Sequence, residues 1–232
     1  MRFVVAGAFM FCAAMAQAEN VLAARYAEET TRYAHAILGD AIEYGTLVME
    51  TASGDVTVKL PQTHVFEDVA PRLVDIDSDG VSEVLVVESS ITEGARVAIY
   101  DGTGALKAAT PHIGRSNRWY APIGAADLDG DGAIEVAYID RPHLAKTLRI
   151  WRYRDGNFAE VAAAGGVTNH RIGEPDIAGG IRDCGTGPEM VLASADWTQL
   201  LAVQFDGEFG VTVLGADTGR PAFADAMACQ AS

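Results

Sequence analysis

The chain has 232 residues, of which 49% are hydrophobic, and it carries 32 acidic against 17 basic side chains. This much apolar surface excludes intrinsic disorder, because the chain can bury enough of it to offset the entropy lost on folding. The formal charge of −15 excludes bulk electrostatic binding to nucleic acid or to an anionic membrane.

The first eighteen residues predict a signal peptide. An apolar run follows Arg2 and ends in Ala16, Gln17 and Ala18, the A-x-A pattern that precedes signal-peptidase cleavage. The run is shorter than the roughly 20 apolar residues that a membrane-spanning helix needs. We therefore predict that residues 1–18 are removed and that residues 19–232 form one exported domain, periplasmic or secreted, with no transmembrane segment.

The cysteines predict one disulfide. Cleavage removes Cys12 and leaves Cys184 and Cys229 in a protein sent to an oxidising space, where two thiols usually pair. The pair lacks the C-x-x-C spacing of redox-active thiols. We expect it to hold the C-terminus in place.

The N-terminal part predicts a hairpin that no acidic loop precedes. Residues 45–51 and 55–60 are β-rich runs on either side of a glycine turn, whereas the segment 19–38 fits either a helix or a strand. We predict a partial unit over about residues 19–62. Its inner strand is expected from residues 222–228, within a C-terminal closing segment 216–232 that joins the chain ends.

An acidic loop occurs twice in the chain, over residues 75–83 and again 52 residues later over residues 127–135. Each loop has carboxylates at positions 1, 3, 5 and 9 and a glycine at position 6, the pattern of an oxygen-rich loop bent around a hard cation. Four carboxylates this close would repel one another without a cation. The loops predict two calcium sites, with the ion fixing a hairpin rather than acting on a ligand.

Position 12 of the loops distinguishes two architectures. An EF-hand needs a bidentate glutamate there and helices on both sides. Here position 12 is Val86 in the first loop and Tyr138 in the second, and β-rich runs follow each loop directly. The loops are therefore expected between strands.

Each loop belongs to a longer unit of about fifty residues. The unit reads as a lead-in strand, the acidic loop, a strand, a glycine turn and a further strand. A third copy retains only Asp183 and Glu189 of the four carboxylates, so a third calcium site there is expected to be weak or absent. The three units cover about residues 66–111, 118–165 and 171–215.

The motif D-x-D-x-D-G-x-x-[DE] between β-strands, repeated with a following hairpin, resembles the FG-GAP or VCBS repeats of calcium-containing β-propellers. Such repeats form the head of integrin α subunits, and this chain resembles an exported, bacterial-type member. The resemblance covers about residues 66–215. It implies an all-β fold of about four blades of four antiparallel strands, with a calcium loop between the first and second strands of two blades. The calcium ligands that it implies are Asp75, Asp77, Asp79 and Glu83, then Asp127, Asp129, Asp131 and Glu135, with the backbone carbonyls of Val81 and Ala133.

The length of the chain limits the ring. Residues 19–232 suffice for about four such blades, the lower limit for a propeller. Either the ring closes within one chain, or a partial ring is completed by a second copy, which leaves an oligomer open.

Unusual residues collect in the loops expected on the face opposite the calcium loops. Arginine beside aromatic residues suits a carboxylate, phosphate or sugar-acid ligand, or a protein partner. The alternative is that the arginines pair with nearby carboxylates and that the tryptophans fill space between blades. The candidate ligand-binding residues are Arg115, Arg118, Trp119, Arg141, His143, His170, Arg171 and Trp197.

Familiar catalytic motifs are absent from the sequence. Asp140 and Asp196 follow successive blade strands and are the two candidates for carboxylate catalysis. His64, His112 and His170 each precede a lead-in strand, which suggests a zinc site, although structural or exposed histidines are more common than zinc ligands.

The sequence therefore predicts an exported, calcium-binding β-propeller protein that acts as a binding module for a protein partner or a small anionic or carbohydrate ligand. The alternative is an extracellular or periplasmic enzyme of the glycoside hydrolase or lyase type. We expect the first rather than an enzyme, because the motifs support the architecture and no catalytic motif accompanies them.

Overall fold

A computed structural model describes residues 19–230 of the chain. The described part is all-β, with seventeen strands in antiparallel sheets and one short helix. The predicted signal peptide, residues 1–18, lies outside the described residues, as do residues 231 and 232. Within residues 19–230, no helix reaches the length and apolarity that a bilayer-spanning helix requires.

The first of four consecutive sheet units, unit 1, contains the hairpin expected near the N-terminus. Its strands are β1 (Val21–Thr30), β2 (Glu43–Thr51) and β3 (Gly54–Lys59), in the order β1–β2–β3. Strand β1 therefore covers half of the segment 19–38 that fitted a helix or a strand.

Unit 2 has an inner edge split into two short strands, because β4 and β5 both pair with β6. Its strands are β4 (His64–Phe66), β5 (Arg72–Val74), β6 (Glu83–Ser90), β7 (Gly94–Tyr100) and β8 (Leu106–Ala109).

Strand β4 also contacts unit 1. Tyr44 of β2 pairs with Phe66 of β4, and this joins units 1 and 2 into one eight-stranded sheet.

Unit 3 is a regular four-stranded sheet. It consists of β9 (Tyr120–Ala126), β10 (Glu135–Asp140), β11 (Thr147–Arg154) and β12 (Asn157–Gly165).

Unit 4 repeats the split inner edge of unit 2, since β13 and β14 both pair with β15. Its strands are β13 (Val167–Thr168), β14 (Gly180–Asp183), β15 (Pro188–Ser194), β16 (Leu200–Phe205) and β17 (Phe209–Gly215). Sheets of about four antiparallel strands, as predicted, are therefore present in units 2, 3 and 4, whereas unit 1 has three.

The sheets pack face against face, and β6 shows how. All eight of its residues are buried. Val84 and Val86 belong to the core shared with unit 1, whereas Leu85 and Val87 belong to the main core shared with units 3 and 4. Burial of both faces explains why β6 contains a continuous apolar run, residues 84–87, rather than an alternation.

The prediction of a closing strand at the C-terminus is wrong. Arg220–Met227 form the helix α1, which packs Phe223 and Ala226 against unit 4. Strand β2 pairs with β3 along one edge, and the strand that pairs with its other edge is β1 rather than the C-terminal segment. The cause is local, because Pro221 lies in the first turn, where proline suits a helix, and alanine has the highest helix propensity.

Candidate metal and ligand sites

The first acidic loop connects β5 to β6, as the sequence predicts. Asp75 accepts hydrogen bonds from the amides of Asp79 and Gly80, at 3.0 and 2.9 Å. At the start of β6, Glu83 accepts the amide of Ile76 at 3.0 Å. One carboxylate oxygen from each of Asp75, Asp77 and Glu83 lies within 4.8 Å of the others, so the loop can hold a metal ion.

The second loop, between β9 and β10, repeats this geometry 52 residues later. Asp127 accepts the amide of Gly132 at 3.0 Å, and Glu135 accepts the amide of Leu128 at 2.9 Å. Oxygens of Asp127, Asp129 and Glu135 again lie within 4.8 Å of one another. The second oxygen of Asp127, Oδ1, is buried and lacks a hydrogen-bond partner among the described residues. A buried oxygen without a partner is costly, and a bound cation would satisfy it.

The fifth positions of the loops, Asp79 and Asp131, close the turns. Asp79 accepts the amide of Val81 at 2.8 Å, and Asp131 accepts the amide of Ala133 at 2.9 Å. The hydrogen bond from Ala133 is the main cause that lowers the pKa of Asp131. Each of these aspartates keeps a second oxygen outside that turn.

A basic side chain from a neighbouring strand contacts the carboxylates of each loop, Lys107 of β8 in the first and Arg152 of β11 in the second, and the sequence analysis missed both. Lys107 contacts Glu83 and lies 2.6 Å from Asp77. Arg152 contacts Asp129 and pairs with Glu135 at 2.5 Å. In both loops a basic side chain from a neighbouring strand thus offsets part of the negative charge of the carboxylates.

The third loop lacks this arrangement. Asp183 accepts the amides of Gly185 and Gly187, at 2.7 and 3.1 Å, and so closes its own turn. Glu189 pairs with Arg182. At this position the guanidinium of Arg182 supplies the positive charge that faces Glu189.

The predicted disulfide is confirmed. Cys184 in the third loop is bonded to Cys229, which lies two residues after α1, with the two Cα atoms 5.6 Å apart.

The comparison with protein families places both acidic loops in one known repeat. A family model described as an FG-GAP-like repeat matches residues 75–138. The match begins at the first aspartate of the first loop and ends three residues after the last glutamate of the second. Residues 75–138 are therefore similar to an FG-GAP-like repeat. Neither the curated proteins nor the solved structures contain a match to the chain.

A cavity of about 180 Å³ lies beside the FG-GAP-like repeat, and it brings together four of the eight predicted ligand residues. Those four are Arg118, Trp119, Arg141 and His143. The remaining lining residues are His35, Ile37, Asn117, Pro142, Leu144 and Ile172.

The two arginines of the cavity differ in their partners. Arg141 forms two hydrogen bonds to Asp140, at 2.7 and 3.0 Å. Arg118 donates to the carbonyl of Asn117 at 2.6 Å, and the described residues offer its guanidinium no carboxylate partner. Arg118 is therefore free to pair with an added anion.

One other predicted residue, His170, lies behind this lining. The ring of His170 meets Trp119 edge to face at 5.0 Å between centroids, and His170 Nδ1 lies 3.0 Å from His143 Nε2. Burial, followed by the proximity of His170, lowers the pKa of His143 to about 4. At neutral pH His143 therefore contributes a neutral imidazole.

The last three predicted ligand residues are not among those that line the cavity. Arg171 stacks on the Trp197 ring, 3.7 Å from its centroid, and pairs with Glu174. Arg115 is exposed.

Trp119 itself is buried and donates to the carbonyl of Glu67 at 2.7 Å, so it also fills the core, as the alternative interpretation held.

The two candidate catalytic aspartates have structural partners. Asp140 is buried and binds Arg149 at 2.9 Å in addition to Arg141. Asp196 closes a turn through hydrogen bonds with Ser194 and Thr198, at 2.7 and 2.8 Å. These partners favour a structural role over acid–base catalysis for both aspartates.

The sequence analysis also missed a buried acidic cluster next to the cavity. Glu67 is fully buried, and its Oε1 lies 2.5 Å from Nδ1 of His35 in the cavity lining. Asp68 is buried beside it and pairs with Arg72 at 2.6 Å. Glu43 completes the cluster, and burial, followed by the charge of Glu67, raises its pKa to about 9.

Replacing Glu43 with glutamine should stabilise the protein above neutral pH. Folded Glu43 holds its proton up to about pH 9, whereas an unfolded glutamate loses it near pH 4.3. Between these two pH values folding therefore takes up a proton, and the contribution of Glu43 to the free energy of unfolding falls as the pH rises through this range. We expect Glu43→Gln to raise the free energy of urea unfolding by about 1–3 kcal/mol at pH 8 and to change little at pH 4.

Glu50→Gln is the matched control, because Glu50 lies on the same strand but is exposed and paired with Arg25. Equal pH profiles for Glu43→Gln and the unaltered protein would show that Glu43 is ionised in the folded state.

Proposed function

We propose that the chain is an exported, calcium-binding module of β-propeller type that binds a small anionic ligand in the cavity beside its FG-GAP-like repeat. The single observation that carries the binding role is the unpaired guanidinium of Arg118 at this cavity. In a protein with a formal charge of −15, most arginines of the described part are paired with carboxylates. An unpaired arginine beside a cavity is suited to bind a carboxylate or a phosphate.

The lining supports an anion of modest size. Leu144 and Ile172 offer apolar surface, and His143 and Asn117 offer neutral polar groups near Arg118. Ligand sites commonly combine such apolar surface with a few polar groups that fix orientation. An acidic side chain of a protein partner presents the same carboxylate chemistry, so the proposal covers both occupants.

Calcium and export complete the proposal. The paired acidic loops, with the buried and unpartnered oxygen of Asp127, support two calcium sites that fix hairpins in units 2 and 3. The pattern at Ala16–Gln17–Ala18 and the disulfide support export to an oxidising compartment, periplasmic or extracellular. We propose residues 19–232 as the exported domain.

Arg118→Ala should weaken anion binding. We would titrate the calcium-loaded protein with inorganic phosphate and with glucuronate in a calorimeter. Loss of a hydrogen-bonded charge pair costs about 1.5–3 kcal/mol, so we expect the variant to bind the accepted probe roughly 10- to 100-fold more weakly.

Arg25→Ala is the matched control, because Arg25 is an exposed arginine of β1 in unit 1. The variant should keep full affinity. Binding that survives in Arg118→Ala, or a failure of both probes to bind the unaltered protein, would contradict an anion-binding cavity.

A further inference from the structure

Three side chains of unit 2 meet away from the acidic loops and from the cavity. His64 begins β4, Glu88 lies near the end of β6, and His112 follows β8. One ligand atom from each of the three lies within 4.8 Å of the others. Glu88 is five residues beyond Glu83 on β6, which is about 17 Å along a strand, so this group is separate from the first acidic loop.

The histidines present their Nε2 atoms to the group. His112 Nδ1 lies 2.7 Å from the carbonyl of Gly94. Because a carbonyl only accepts, Nδ1 carries the hydrogen and Nε2 keeps its lone pair. His64 Nδ1 contacts the Thr63 hydroxyl at 2.9 Å, and its Nε2 lies 3.9 Å from Glu88 Oε1. A metal-binding histidine typically donates its other ring N–H to a carbonyl in this way.

Glu88 is held in place as an anion. Its carboxylate is buried and receives Arg96 Nη2 on both oxygens, at 3.0 and 2.9 Å. Tyr100 donates to Oε2 at 2.9 Å, which leaves Oε1 facing His64. A buried and charged carboxylate with fixed orientation resembles the hydrogen-bonded acidic ligands of metal sites.

The geometry points to a site for a divalent transition-metal ion, zinc above all, bound by His64, Glu88 and His112. Two imidazoles and one carboxylate are a known zinc donor set, which keeps a fourth position open. Ligands of a tetrahedral zinc ion, each about 2.0–2.1 Å from it, lie roughly 3.4 Å apart, so small side-chain rotations would complete the site. Both histidines are partly exposed, which gives the ion a route from solvent.

This site differs from the zinc hypothesis that the sequence suggested. His170 is not part of it, since its ring lies against His143 and Trp119. The new ligand is Glu88, whose neighbours in the sequence carry no metal signature. The inference depends neither on calcium nor on the anion-binding cavity.

The test is a zinc titration of the full chain, stripped with chelator and then held in excess calcium so that the acidic loops are saturated. We expect one zinc ion per chain by calorimetry, and the visible absorption of four-coordinate cobalt when cobalt replaces zinc. His64→Gln and His112→Gln should each lower zinc affinity at least about 100-fold, because each removes a direct ligand.

Glu93→Gln, a change of an exposed acidic residue in the same unit, is the control and should bind zinc as the unaltered protein does. Circular dichroism melts without metal would establish that the histidine variants fold. No stoichiometric zinc, unchanged affinity in both histidine variants, or zinc binding that calcium displaces would each overturn the site.

Discussion

We expect calcium to raise the thermal unfolding midpoint of chelator-treated protein by at least about 10 °C. A ligand at 100 times its dissociation constant stabilises the folded state by about 2.7 kcal/mol per site. For a chain of this length, each 1 kcal/mol moves the midpoint by about 2–4 °C, and the two acidic loops act together. The measurement is a melt followed by circular dichroism, with calcium and with chelator.

The basic side chains that contact the two loops should make the two sites contribute unequally to this rise in the unfolding midpoint. Within residues 19–230, Lys107 is the only basic side chain that pairs with carboxylates of the first loop, whereas Arg152 and Arg154 both pair with carboxylates of the second. A bound ion must displace or reposition these cations, and the second loop has more positive charge to move. We therefore expect the first loop to bind calcium more tightly than the second.

Variants at position 3 of the first and second acidic loops give the sharpest control. Asp77→Asn with Asp129→Asn removes one candidate ligand charge from each site and should abolish most of the calcium shift. Asp55→Asn changes an exposed aspartate of β3 and should leave the shift intact. An equal midpoint with calcium and chelator in the unaltered protein would mean that Lys107 and Arg152 satisfy the loops without an ion.

The acidic loops could be predicted because their geometry is local. Asp75 and Glu83 are eight residues apart, and the hydrogen bonds that shape the loop join residues no more than seven positions apart. The same holds for the hairpins, which glycine turns define. The sequence was sufficient to predict structures whose contacts all lie within one loop or one turn.

The ligand cavity and the histidine group depend on contacts between distant segments. His35 meets Glu67 from 32 residues away, and it lies in the N-terminal segment whose structure the sequence left open. His64 meets Glu88 because β4 pairs with β6, a register that the sequence pattern does not encode. Helix α1 was predicted as a strand because a closed ring needs an inner strand that joins the chain ends, and that requirement overrode the local helix preference of Pro221 and the alanines.

Removing the disulfide should be the second large effect. Cys184 and Cys229 are 45 residues apart, and closing a loop of this length restricts the unfolded chain by about 4 kcal/mol in the entropic description. Measured effects are commonly smaller, so we expect Cys184→Ala with Cys229→Ala to lose about 2–4 kcal/mol, a fall in midpoint of roughly 5–15 °C.

The disulfide also acts locally, because it joins the third loop to the end of α1. Phe223 and Ala226 bury this helix against unit 4, and Arg182 donates to the carbonyl of Ala226. These contacts should keep α1 docked at low temperature in the double variant. On warming, α1 should be the first element that a protease reaches.

Reductant is the matched control for the double variant. It should lower the midpoint of the unaltered protein to that of the variant and should leave the variant unchanged. Limited proteolysis would show whether early cleavage falls in residues 216–230. If reduction leaves the midpoint unchanged while cleavage appears there, the bond holds only the helix, and the cores of units 1 to 4 unfold independently of it.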